Sequence, residues 1–76
     1  MIQKTDWEAR AANLLKSELK RKGVTYSALV DRLADIGVSE KEANVRNKLS
    51  RGKFSAAYLI QCLEAIEVKT LRMSDD

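Results

Sequence analysis

The sequence predicts an all-α domain of four to five short helices, and three observations carry that expectation. The 76 residues contain no proline. They contain only three glycines, Gly23, Gly37 and Gly52. Between those breakers, apolar residues recur at the three-to-four-residue spacing of an amphipathic helix. A chain of this length forms one domain and buries roughly 60% of its unfolded surface, so its core is thin. The reading is a single domain over 1–76, with an ordered core over about 5–68 and a tail over 69–76. With 45% hydrophobic and 33% charged residues, the composition is that of a globular protein rather than a disordered one.

The first helix opens on Thr5, followed three residues later by Glu8, a capping-box pattern. Trp7, Ala11, Leu14, Leu15 and Leu19 form its apolar stripe. Lys20, Arg21 and Lys22 complement the negative end of its dipole, and Gly23 stops it. The same three cations equally suit contacts to phosphate. Thr25 caps a second helix that buries Leu29, Val30, Leu33 and Ile36. Gly37 ends it and Val38 plugs the corner. Ser39 and Glu42 suggest another capping box, opening a third helix over about 40–50 that Gly52 terminates. Phe54 anchors the next connection. A fourth helix from Ser55 turns Leu59, Cys62, Leu63 and Ile66 inward. The tail "VKTLRM" is open between strand, helical turn and extended chain. No stretch repeats.

Composition argues against catalysis. With no histidine, the commonest general base and metal ligand is missing. The single cysteine, Cys62, sits in an apolar helical stripe and reads as a core residue. Phosphate-cradling glycine patterns are absent, and Asp31, Asp35, Glu64 and Glu67 read as solvated helix-face residues. No enzyme activity, cofactor, metal or small-molecule substrate is expected. The start "MIQKTDWE" has no apolar signal region and no stretch is long enough to span a bilayer, so a cytoplasmic location is expected.

Charge is more informative. Residues 16–22 hold four basic side chains and one acidic, and residues 41–53 hold five basic and one acidic. The whole chain carries only +3, so everything outside these two blocks is net acidic. Clustered positive charge favours a polyanionic partner. A helix, a glycine corner and a second helix is the construction of a helix-turn-helix, whose second helix lies in the major groove of DNA. At 100° per residue, Val45 and Leu49 of the third helix face the core with Glu42 beside them. Ala43, Asn44, Asn47, Lys48 and Arg51 lie opposite or on the flanks. Asparagine bonds adenine bidentately, and lysine or arginine bonds guanine or phosphate. Ala43, Asn44, Asn47 and Lys48 are therefore the expected base readers. The expected phosphate contacts are Thr25, Tyr26 and Ser27 at the start of the second helix, with Lys41, Arg46, Arg51 and Lys53.

The segments "LKRKGVTYSALVDRLADIGVS", "NKLSRGKFS" and "LIQCLEAIEV" resemble the lambda-repressor-like (XRE-type) helix-turn-helix domains over about residues 10–68. The chain is also similar to a small bacterial family catalogued only as a domain of unknown function. The first resemblance implies a four-to-five-helix fold and a transcriptional regulator, of repressor type, on double-stranded DNA. Two departures carry expectations of their own. The spacing from Val38 to Gly52 is about one helical turn longer than the family's, which extends the recognition helix at its N-terminus. Glu67 stands where the family often has a helix-ending glycine, so the fourth helix runs on. One small domain makes few base contacts, and a homodimer on paired half-sites is expected, with Trp7, Val68, Leu71 and Met73 at its interface. The alternative is a protein-interaction module or antitoxin-like partner that uses the same fold without specific DNA reading. The aromatic platform of an RNA-binding module is absent.

Overall fold

Each helix begins and ends where local chemistry dictates. In the computed structural model the described residues are 4–73, with side chains from Trp7 onward. They form α1 (Lys4–Lys22), α2 (Tyr26–Asp35), α3 (Glu42–Arg51) and α4 (Ala56–Ala65). No strand occurs among them. Thr25 and Ser55 cap α2 and α4, each side-chain oxygen accepting from the N–H three residues on, Ala28 at 3.1 Å and Tyr58 at 3.0 Å. Residues 68–73 are irregular, so "VKTLRM" is neither strand nor helical turn.

Three helix ends share one design. The N–H groups of Gly23 and Val24 reach back to Lys20 O and Leu19 O at 3.1 and 2.9 Å. Gly37 and Val38 do the same to Ala34 O and Leu33 O, and Glu67 and Val68 to Glu64 O and Leu63 O. This is the Schellman pattern, with a left-handed residue followed by an apolar one that folds back on the helix. "LKRKGV", "LADIGV" and "LEAIEV" are thus a short repeat of terminators, although the sequence shows no repeat by residue identity alone. At the third position the left-handed residue is Glu67, with φ of 61°. The fourth helix therefore stops at Ala65 rather than running on.

Three further expectations are corrected by the structure. Thr5 lies inside α1 rather than before it, and its side chain falls outside the described residues. Ile36 is 45% exposed, because it is the C-cap where the backbone leaves the helix and Val38 packs on the core in its place. The buried line of α1 is Ala12, Leu15 and Leu19 with Glu18, which is only 4% exposed, whereas Trp7 is 55% exposed and Ala11 and Leu14 half-buried. That rotation follows from α1 touching both α3 and α4, which widens and turns its buried arc. Arg21 closes over Glu18, its Nε donating to Oε1 at 3.1 Å.

The four helices close a ring. α1 and α2 each pack closely on both α3 and α4, while the backbones of α1 and α2, and of α3 and α4, stay further apart. Leu15 and Leu19, Leu29 and Leu33, Val45 and Leu49, and Cys62 and Ile66 meet in one core, two from each helix or its cap. Gly52 is buried at the exit of α3 with φ of 68°. A Cβ there would fall on the carbonyl oxygen of Glu8 in α1. Gly37 has open space around the same position.

Two stability outcomes follow. Gly52→Ala is expected to lose about 3 kcal/mol or more in urea unfolding, since left-handed strain and backbone overlap add, whereas Gly37→Ala should lose only about 1–2 kcal/mol. Glu67→Gly should gain about 0.5–1 kcal/mol by relieving the left-handed residue. A Glu67→Gly variant no more stable than the wild type would contradict this.

Candidate nucleic-acid interface

The third helix is shorter than the sequence spacing implied. It begins at Glu42 with Lys41 as its N-cap, and it spans ten residues. Residues 36–41 form the connection from α2, so the additional spacing lengthens the turn and not the third helix. Ser39 is exposed and is not the cap, because the carboxylate of Glu40 takes over the turn. Glu40 Oε1 accepts from the Lys41 N–H at 3.0 Å and from Asn44 Nδ2 at 3.2 Å. Its Oε2 pairs with Lys48 Nζ at 3.1 Å.

The carboxylate at the centre of this network is nearly buried beside α3. The Glu40 side chain is only 6% exposed. Lys48 lies over the ring of Tyr58 in α4, Nζ 4.1 Å from the centroid, so its charge faces both a carboxylate and a π face. Phe54 stacks beside Tyr58 at 5.9 Å between centroids. The Tyr58 hydroxyl is buried with no hydrogen-bond partner, and burial together with the nearby Cys62 and Glu40 pushes its pKa up. Burial likewise pushes the Cys62 thiol up to about 11, which leaves it an inert core group. For Glu40, burial alone would raise the carboxyl. The hydrogen bonds from Lys41, Lys48 and Asn44 outweigh it and hold the group below its ordinary value.

On the other flank Arg46 donates to Glu42 Oε2 at 2.8 Å and sits 5.7 Å from the Tyr26 ring centroid. Glu42 is therefore exposed and occupied with Arg46, where the helical-wheel reading had turned it toward the core beside Val45 and Leu49. Tyr26 is half-buried against the core, and Thr25 and Ser27 are exposed at the start of α2. Val45 and Leu49 are buried. Directly opposite them the crest of α3 carries Ala43, Asn47 and Ser50, all exposed, with Arg51 at the exit and no acidic side chain. Ser50 Oγ donates back to the backbone carbonyl of Asn47 at 3.0 Å, and Asn47 itself is exposed. Lys41, Arg51 and Lys53 have no carboxylate partner among the described residues.

The expected site residues are thus brought together, but unequally. Asn47, Ala43, Arg51 and Lys53 present outward, while Lys48 and Asn44 are bound to Glu40 and Arg46 to Glu42. Of the first basic block, Arg21 serves Glu18, and Lys22 Nζ donates to Glu67 O at 3.3 Å. Of the expected dimer residues, Trp7 and Met73 are 55% and 58% exposed, Leu71 is half-buried, and Val68 packs on the core as the closing residue of α4. Among the described residues no group of side chains is placed to hold a metal ion, and no helix is long and apolar enough to cross a membrane.

A family model described as a domain of unknown function (DUF6471) matches residues 7–71, almost the whole described chain. The chain belongs to that family. No curated protein and no solved structure matches it. The DUF6471 match takes in α1 from Trp7 onward and the other three helices whole, and the family description names no activity.

Sequence reasoning missed two residues here. Glu40 was passed over in favour of Ser39 and Glu42, although an acid one residue before a helix N-cap is a signal that can be read. Lys16 was counted only within its charge block, yet it borders α3 and α2 alike.

The Glu40 network sets a pH dependence. A carboxyl depressed in the folded state adds stability that is fully present above the unfolded carboxyl range near pH ~4.3 and is lost as pH falls through the lower folded value. Glu40→Gln is expected to cost about 2 kcal/mol at pH 7. The gap to wild type should narrow as pH falls below about 4. Paired urea titrations at neutral and acid pH check it, and a gap independent of pH would contradict the assignment.

Proposed function

We propose that the chain is a sequence-specific double-stranded DNA-binding regulator, of repressor type, that lays α3 in the major groove. The observation that carries this reading is the crest of α3. It is free of acids, small at Ala43 and Ser50, and centred on Asn47, with the unpaired cations Arg51 and Lys53 at its exit. A helix face built for solvation alone commonly alternates acids and bases. Here the acids of the segment, Glu40 and Glu42, are turned to the flanks and neutralise Lys48 and Arg46. In this reading Asn47, with Ala43 and Asn44, reads base edges, and Arg51 and Lys53 hold phosphate. Lys48 would join the base readers on leaving Glu40. Thr25, Tyr26 and Ser27 at the start of α2, with Lys41 and Arg46, meet the backbone on either side.

The connection of α2 to α3 is longer than the three or four residues of most helix-turn-helix pairs. What the reading requires is retained: α2 packs directly on α3, and α3 keeps one whole face outside the core. The proposed assembly is a cytoplasmic homodimer. Trp7 and Met73 border a small cleft with Arg10, Ala11 and Leu14, on the side of α1 that meets the tail. Pairing there would present two copies of α3 to half-sites roughly 34 Å apart.

Selection of bound sequences from a random duplex pool tests the reading directly. Asn47→Ala should then cost about 1–3 kcal/mol on the selected site and far less on random duplex. Equal loss on both would remove Asn47 from a reading role, and failure to enrich any sequence would overturn specific recognition. For the assembly, sedimentation should show a dimer in the full chain and a monomer after truncation at Val68. A full chain that stays monomeric and binds one copy per site would overturn the dimer.

A further inference from the structure

The cations of this molecule divide by whether a carboxylate already holds them. Arg21, Arg46 and Lys48 are paired within the chain. Lys16, Arg51 and Lys53 are not, and all three border a single cleft of about 460 Å³ between α1 and the exit of α3. Asn13 and Ser50 add neutral hydrogen-bonding groups to its walls, and Glu8 is the one carboxylate that lines it. Lys16 also lines a second depression, shared with Lys20, Thr25 and Tyr26 at the start of α2. A single side chain of α1 therefore stands between the two places where α2 and α3 are proposed to meet the DNA backbone. On the opposite, α4-facing flank of α3 the cation is Lys48, which Glu40 already holds.

We infer that the α1–α3 cleft is a phosphodiester-binding site, with Lys16 as the contact that α1 contributes to the DNA interface. The inference rests on the DNA-binding reading above and extends it to a helix outside the α2–α3 pair. Three unpaired cations facing one carboxylate leave an excess of positive charge, and the Asn13 amide beside them suits phosphate oxygens. The backbone strand that borders α3 on its α1 side would pass from Arg51 and Lys53 across Lys16 toward Thr25. Such contacts fix the register of the duplex without reading its sequence.

The test is the salt dependence of binding to a ~20-base-pair duplex, comparing wild type with Lys16→Gln, Lys16→Arg and Arg32→Gln. Arg32 is exposed in the last turn of α2, borders neither cleft, and controls for net charge alone. One lost phosphate contact lowers the slope of log K against log[salt] by about 0.9, which is roughly an eightfold weaker affinity at 0.1 M salt. Lys16→Gln should show that loss equally on selected and random duplex, Lys16→Arg should keep the wild-type slope, and Arg32→Gln should leave it unchanged. A wild-type slope in Lys16→Gln, or an equal fall in Arg32→Gln, would overturn the site while leaving the DNA-binding reading intact. Wild type that binds no duplex at low salt would overturn both, and would be recognised before any variant is made.

Discussion

Everything in this domain is arranged around the contact of Gly52 with the backbone of α1. The residue ends α3 in a left-handed turn, and its missing side chain lets the chain run directly against the Glu8 carbonyl. That approach fixes where α3 stops relative to the first turns of α1. Arg51 and Lys53, on either side of Gly52, are in consequence held beside Lys16. A larger residue would push the two helices apart, and the core layer of Leu15 and Leu49 would open with them. The fold and the distribution of charge on the proposed interface thus share one steric origin.

The second organising interaction is the Glu40 network, which governs how much of the positive charge of α3 is available. The segment 41–53 looks uniformly basic, yet its middle cations, Arg46 and Lys48, are already paired. What remains free stands at the ends, as Lys41, Arg51 and Lys53. Glu40 is nearly buried, and three donors must satisfy it: a backbone N–H, an amide and an ammonium. That requirement pins the α2–α3 connection, whose six residues would otherwise leave the orientation of α3 loosely determined. The acid that lowers the charge of the helix also sets its angle.

How much of this was legible in the sequence depended on how local the cause was. The cap Thr25, the stops Gly23, Gly37 and Gly52 and the start of the fourth helix at Ser55 act within a few residues, and the sequence alone places each of them. Glu67 was misread because a glutamate in the left-handed region is uncommon, and only the repeat shared with Gly23 and Gly37 reveals it. The buried line of α1 was misplaced because a wheel assumes one partner, and α1 has two. Asn47, Ala43 and Arg51 were found correctly as outward-facing, since Val45 and Leu49 alone define the opposite face. Glu40 was not, because its role needs Lys48 eight residues on and the ring of Tyr58 from another helix.

These two interactions together give α3 an uneven surroundings. Its α4 flank is neutralised by Glu40, its crest is uncharged up to Arg51, and its α1 flank carries the unpaired cations. Phosphate contacts supply most of the affinity of a small domain for DNA, and they do so regardless of sequence. A helix with one charged flank therefore gains little from random duplex, and a larger share of its binding has to come from the crest. Discrimination improves by that arrangement while the affinity of a single copy falls. In the proposed dimer that loss would be recovered by presenting two crests to one site, since the contribution of a second linked copy multiplies rather than adds. The uneven charge around α3 and the proposed paired assembly would then share one origin, the retention of Lys48 by Glu40.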